Sequence, residues 1–123
     1  MHNFKELSVW KKARELTKNI YTLTKRFPDN EKYASISQIQ RACISIASNI
    51  AEWAGRWSDK EFTYFLNIAY WSAFELETQI ILSYDLWYIN STEIDSITWD
   101  INEIQKMIYW LIQHNKKNIS INI

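Results

Sequence analysis

Apolar residues return along this chain at alternating steps of three and four, the spacing that gathers them on one side of an α-helix. Val9, Ala13, Leu16, Ile20, Leu23 and Phe27 make the first such seam. Pro28 ends it, because a proline disfavours helical geometry in the residue before it. Ile36, Ile39, Cys43, Ile46 and Ile50 make the second, which runs out near Ala54-Gly55. A glycine there suits the left-handed position just past a helix end. Ser58-Asp59-Lys60-Glu61 reads as a capping box, with Ser58 as the cap and Glu61 reaching back to it. The third seam is long, passing through Phe62, Phe65 or Leu66, Ala69, Ala73, Leu76 and Ile80 to about Asp85. Asn90-Ser91-Thr92 offers caps for a fourth helix, and Glu93 and Asp95 fall in its dipole-positive first turn. Its apolar side is Ile94, Ile97, Ile101, Ile104, Ile108 and Leu111.

The many isoleucines do not argue for strands, since their spacing is helical and packing outranks propensity. Four amphipathic helices with short connections predict an all-α, antiparallel up-down four-helix bundle. The bundle is expected over residues 1–114, with a polar tail at 115–123 that frays.

Composition sharpens this picture. The chain has one glycine and one proline in 123 residues, which favours long uninterrupted helices, and seven tryptophans, which is an excess. No apolar run is long enough for a membrane helix, and the amino-terminal stretch mixes charge with apolar residues as no signal peptide does. A lone cysteine, Cys43, fits a reducing compartment, so a cytoplasmic location is expected. The formal net charge is zero, yet residues 1–26 hold seven Lys or Arg against two Glu. Residues 27–90 reverse this, with four basic against eight acidic residues.

The chemistry of an enzyme is missing. A di-iron bundle needs inward glutamates and Glu-x-x-His pairs, and neither His2 nor His114 follows a glutamate by three. Cys43 lies on an apolar seam with no histidine near it in sequence, which reads as core. No arginine precedes a histidine at the four-to-six spacing used by RNA-cutting helical proteins, and one glycine cannot make a phosphate loop. No catalytic residue, metal or cofactor is therefore expected. Two polar sets remain. Arg41, Asn49, Glu52 and Arg56, with Ser72 and Glu75 further along, cluster about the junction of helices 2 and 3 and are read as fixing register or a subunit interface. Glu52 and Arg56 stand four apart, although Gly55 between them argues against a continuous helix. Lys11, Lys18 and Lys25 recur every seven residues opposite the first seam, a stripe able to neutralise phosphates along a nucleic-acid backbone.

Three segments taken together resemble a known family. "FKELSVWKKARELTKNIYTLTKRFP" is similar to its opening, "SQIQRACISIASNIAE" to its Asn-Ile-Ala-Glu segment, and "SDKEFTYFLNIAYWSAFELETQIILSYDLWYI" to its third helix. The family is that of bacterial four-helix-bundle proteins encoded in intervening sequences of 23S ribosomal RNA genes, and the resemblance covers about residues 3–112. It implies a ring-like homo-oligomer, a pentamer, and relatedness to accessory proteins of diversity-generating retroelements, which contact nucleic acid and a reverse transcriptase. The expected function is thus RNA or DNA binding, structured RNA first, through Lys11, Lys18, Lys25 and Arg56. The alternative is a scaffold that docks a partner protein such as a reverse transcriptase.

The chain departs from the family pattern in one consistent way. Tryptophan stands at 53, 57, 71, 87 and 110, where the family carries glycine, while Trp10 matches a family tryptophan and Trp99 has no counterpart. Glycine serves such sites through close approach or positive φ, and an indole there overpacks them. One cause would cover all five: UGA codons that encode glycine, translated with a table that reads them as tryptophan. The rival reading is that the tryptophans are real and form an aromatic interaction surface for bases.

Overall fold

Helices form where the seams place them. The computed structural model describes residues 3–56 and 59–117, with the backbone alone at 33, 59–62 and 115–117. Four α-helices run in order: α1 (Ser8–Thr24), α2 (Ser37–Ala54), α3 (Asp59–Asp85) and α4 (Ser91–Lys117). A 3₁₀ turn at Phe4–Glu6 precedes α1, and a second at Asp29–Glu31 with a π-helical turn at Lys32–Ile36 leads into α2. No strand occurs among the described residues.

Side-chain bonds between neighbours show the helices alternating in direction. Gln40 of α2 donates to Thr24 of α1 at 3.2 Å, and Ser45 of α2 meets Ser72 of α3 at 2.7 Å. Glu77 of α3 accepts from Gln105 and Asn102 of α4 at 2.9 and 3.2 Å. Arg26, just past α1, pairs with Glu93 at the start of α4 and closes the ring. The result is an all-α, antiparallel four-helix bundle in which each helix packs on its chain neighbours and α1 packs on α4.

The core is the set of seams. Val9, Ala13, Leu16, Ile20 and Leu23 of α1 are buried, as are Ile39, Cys43, Ile46 and Ile50 of α2. On α3 the buried seam takes Leu66 and not Phe65, then Ala69, Ala73, Leu76 and Ile80. On α4 it ends on Ile112, leaving Leu111 half-buried, because a 3.6-residue turn drifts against a strict heptad. Trp53 extends the α2 seam three residues beyond Ile50 and is 1% exposed. It is therefore a core residue at the end of the bundle.

The helix ends differ from expectation in two places. Gly55 does cap α2, but at φ −86° and ψ −4°, in the right-handed region. Its N–H still reaches Ala51 and Glu52 carbonyls at 3.1 and 3.2 Å, so the helix tightens into its last turn and needs no left-handed residue. A Cβ at Gly55 would lie 3.6 Å from its nearest neighbour, an ordinary contact. The left-handed position falls instead on Trp87, at φ 68°, just beyond α3. There the Tyr88 N–H bonds the Ser83 carbonyl at 2.9 Å and the Trp87 N–H bonds that of Tyr84 at 3.0 Å, a Schellman ending. The start of α4 is a capping box: Asn90 Oδ1 accepts from the Glu93 N–H at 2.8 Å, and Glu93 accepts from the Asn90 N–H at 2.9 Å. The Ser58–Glu61 capping box lies outside the described residues, as do Trp57 and residues 118–123.

Candidate nucleic-acid interface

The seam of α1 faces inward, so the residues between its steps must face out. Lys11, Lys18 and Lys25 are all exposed, spaced by two turns or about 10 Å along the helix. Arg14 lies between the first two on the same face. Lys11 approaches Glu6 at 4.0 Å and Lys18 approaches Glu15 at 3.6 Å. Both pairs are largely in solvent, where such pairings contribute little and exchange readily for another anion. Lys25 caps the carboxyl-terminal end of α1, where the helix dipole favours a cation.

Rings accompany the cations at the amino-terminal end. Phe4 of the first 3₁₀ turn meets Trp10 edge-on, with centroids 5.0 Å apart and planes at 72°. Arg14 lies over the Trp10 ring at 5.6 Å, and Lys5 lies 6.0 Å from the Phe4 ring. Phe4 and Trp10 are half-buried and packed against the core. Arg56, at the same end of the bundle, bonds Glu52 at 3.1 Å and lies 5.0 Å over the Phe65 ring. The Glu52–Arg56 pair therefore forms despite Gly55, because the right-handed turn continues the helical spacing.

The remaining junction residues fall into separate settings. Asn49 Nδ2 donates to the Ser45 carbonyl at 2.8 Å and its hydroxyl at 3.1 Å, and that hydroxyl meets Ser72. This polar strip ties α2 to α3, with Ser72 buried. Arg41 is exposed and bonds Gln38 on its own helix, and Glu75 is exposed on α3. The structure thus brings Asn49 and Ser72 together, pairs Glu52 with Arg56, and leaves Arg41 and Glu75 apart from both.

Sequence reasoning missed two features. One is the Glu77–Asn102–Gln105 cluster, in which Asn102 also donates to Gln105 at 2.8 Å; only the three-residue spacing of the two amides hints at it. The other is the outer side of α3, where Tyr64, Trp71, Phe74, Ile81 and Leu82 are exposed although large and apolar. The clue was the lack of a clean polar face on that helix.

Burial pushes the Cys43 thiol up from 9.0 to about 12, which leaves it an inert core residue. Among the described residues no group of three or more His, Cys, Asp or Glu is placed to hold a metal ion. Between α1 and α4, the sparsest helix seam, an apolar groove of about 420 Å³ opens at Leu7, Val9, Met107, Trp110 and Leu111. His114 stacks on Trp110 at 3.6 Å beside it. No helix among the described residues is long and apolar enough to cross a membrane.

The profile of the family described as 23S rRNA-intervening sequence protein matches residues 5–110. Among solved structures, the chain is similar to a protein of unknown function from the S23 ribosomal protein family of Bacteroides thetaiotaomicron VPI-5482. The likeness has a TM-score of 0.79 and 32% identity over 85% of this chain and 95% of that one. No curated protein gives a match.

Proposed function

The chain belongs to the 23S rRNA-intervening sequence protein family, and from that premise we propose that it is a non-enzymatic, self-associating bundle that binds structured RNA. The observation that carries this reading is the row of exposed Lys11, Lys18 and Lys25 on α1. A row of cations displaces the counterions condensed on a nucleic-acid backbone, and that release drives sequence-independent binding. Arg56 adds a fourth cation at the junction of α2 and α3. The reading places the protein in the cytoplasm with its RNA, where the Cys43 thiol stays reduced.

Filter binding to structured RNA between roughly 50 and 200 mM salt tests it. Three phosphate contacts give a slope of log affinity on log salt of about −2 to −3. Changing Lys11, Lys18 and Lys25 to Gln is expected to make the slope shallower by that amount, leaving only the share of Arg56, without loss of fold, since all three lysines are exposed. Absence of salt-dependent binding to any RNA, and to DNA of the same sequence, would count against the reading.

The exposed apolar side of α3 favours a second reading, a scaffold that assembles with itself as a pentamer and docks a partner protein such as a reverse transcriptase. Co-purification that survives nuclease treatment would favour it over RNA binding.

A further inference from the structure

Lysines spaced along α1 would hold any polyanion, duplex or single strand. The rings beside them are more selective. Phe4 and Trp10 are half-buried and packed against the core, so each ring is held in place and keeps part of its surface in solvent. Arg14 sets a flat guanidinium over the Trp10 face and lies in line with Lys11 and Lys18. Anchored rings capped by cations are what a single strand needs: its bases stack on π-faces or on guanidinium planes while its phosphates follow the positive charge. Bases inside a duplex offer no free face to such a platform.

Building on the RNA-binding reading, we propose that Phe4, Trp10 and Arg14 form a stacking platform for unpaired bases of a nucleic-acid strand whose phosphates run on to Lys11 and Lys18. The charge of this segment supports such an occupant, with seven basic against two acidic residues in positions 1–26. Its order along the chain does too: Lys5, Phe4, Trp10 and Arg14 stand in unbroken contact. Lys11 and Lys18 then carry the line along the helix.

The test compares two RNAs of equal length at one salt concentration, a hairpin with a large unpaired loop and a fully paired duplex. A single-stranded DNA of the loop sequence forms a third arm. The full chain is used as wild type, Trp10→Leu, which keeps apolar bulk without a π-face, and Arg14→Lys, which keeps the charge without the plane. Circular dichroism melting confirms the fold of each variant. Wild-type protein is expected to prefer the hairpin. Trp10→Leu should lower hairpin affinity roughly five- to hundredfold, the loss of one stacked base, and Arg14→Lys should lower it several-fold; duplex affinity should hold in both. The DNA arm should lose affinity in step with the hairpin if unpaired bases are the common element. Should Trp10→Leu fail to fold, Arg14→Lys decides alone. An undiminished hairpin preference in folded variants overturns the platform and leaves the RNA reading standing. Failure of the wild type to bind any of the three overturns both.

Discussion

The Schellman bonds at the end of α3 require residue 87 to sit at φ 68°, and the residue that does so is a tryptophan 91% exposed to solvent. A left-handed backbone costs a residue with a side chain about 1–2 kcal/mol, and an indole in water recovers none of it through burial. Trp87→Gly should therefore raise stability by about 1 kcal/mol, allowing for the added freedom of glycine in the unfolded chain. Urea midpoints at constant slope would show it; a lower midpoint would contradict the assignment of strain. The chain's own glycine, at 55, occupies a right-handed site with room for a Cβ. Trp53 is the opposite case, an indole that completes the core. The backbone thus asks for glycine at 87 and the packing accepts tryptophan at 53, so these two sites differ in their physics whatever the origin of their codons. UGG at 53, 57, 71, 87 and 110 in the gene would exclude a decoding cause. Cys43 offers a second test at this scale. Its folded thiol titrates near 12 against 9.0 unfolded. A raised folded pKa gives stability that is whole below pH 9 and is lost as pH climbs toward 12, because only the unfolded chain releases the proton. Between those limits wild type should lose stability more steeply with pH than Cys43→Ala, by about 1.4 kcal/mol per unit. Equal slopes would mean that the thiol is ionising in the folded state.

Elements were legible to different degrees, for reasons that lie in their surroundings. α1, α2 and α4 each bury one side, so the alternation of threes and fours named their core residues and, by complement, the outward Lys11, Lys18 and Lys25. α3 carries large apolar residues on its outer side as well, so periodicity could not choose between Phe65 and Leu66; packing against α2 and α4 chooses Leu66. Local caps were readable within a few residues, as the Asn90–Glu93 box shows. That box also depends on a contact no local pattern contains, because Glu93 receives Arg26 from the far end of α1. Tyr88 makes a similar long reach: its hydroxyl donates to Glu31 at 2.7 Å, which holds the phenol above its ordinary range, while its ring packs on Phe27. Of the candidate site only the lysine row was read from the sequence; the ring cluster beside it was not. Trp10 and Arg14 stand four apart on one helix, whereas Phe4 joins them from a 3₁₀ turn that the helical pattern did not announce. The Glu77–Asn102–Gln105 cluster was invisible, since its members meet across two helices.

At the scale of the molecule, the antiparallel order gathers the start of α1, the end of α2 and the end of α4 at one pole. Lys5, Lys11, Arg14 and Arg56 lie there with Phe4, Trp10 and Phe65 and with Glu6 and Glu52, while Asp29, Glu31, Asp85 and Glu93 lie toward the other with Lys25 and Arg26. The outer side of α3 is a different surface. Tyr64, Trp71, Phe74, Ile81 and Leu82 face water there in one copy of this chain, beside the exposed polar Glu75 and Thr78, and large apolar side chains on an outer helix face are normally covered. A second copy is the proposed cover, leaving the basic face of α1, diagonally across the bundle, open to RNA. Phe74 and Ile81 stand two turns apart on the exposed side. Replacing both with Gln keeps helix propensity and touches no buried contact of the core, so the isolated bundle should lose less than about 1 kcal/mol. Sedimentation velocity should then show wild type as an oligomer and the double variant shifted toward the 14.8 kDa single chain. The Lys-dependent RNA binding would weaken with it, because a ring multiplies each weak α1 face by the number of copies that engage one RNA. Wild type sedimenting as a single chain at micromolar concentration would remove the ring and leave the α1 face to act alone.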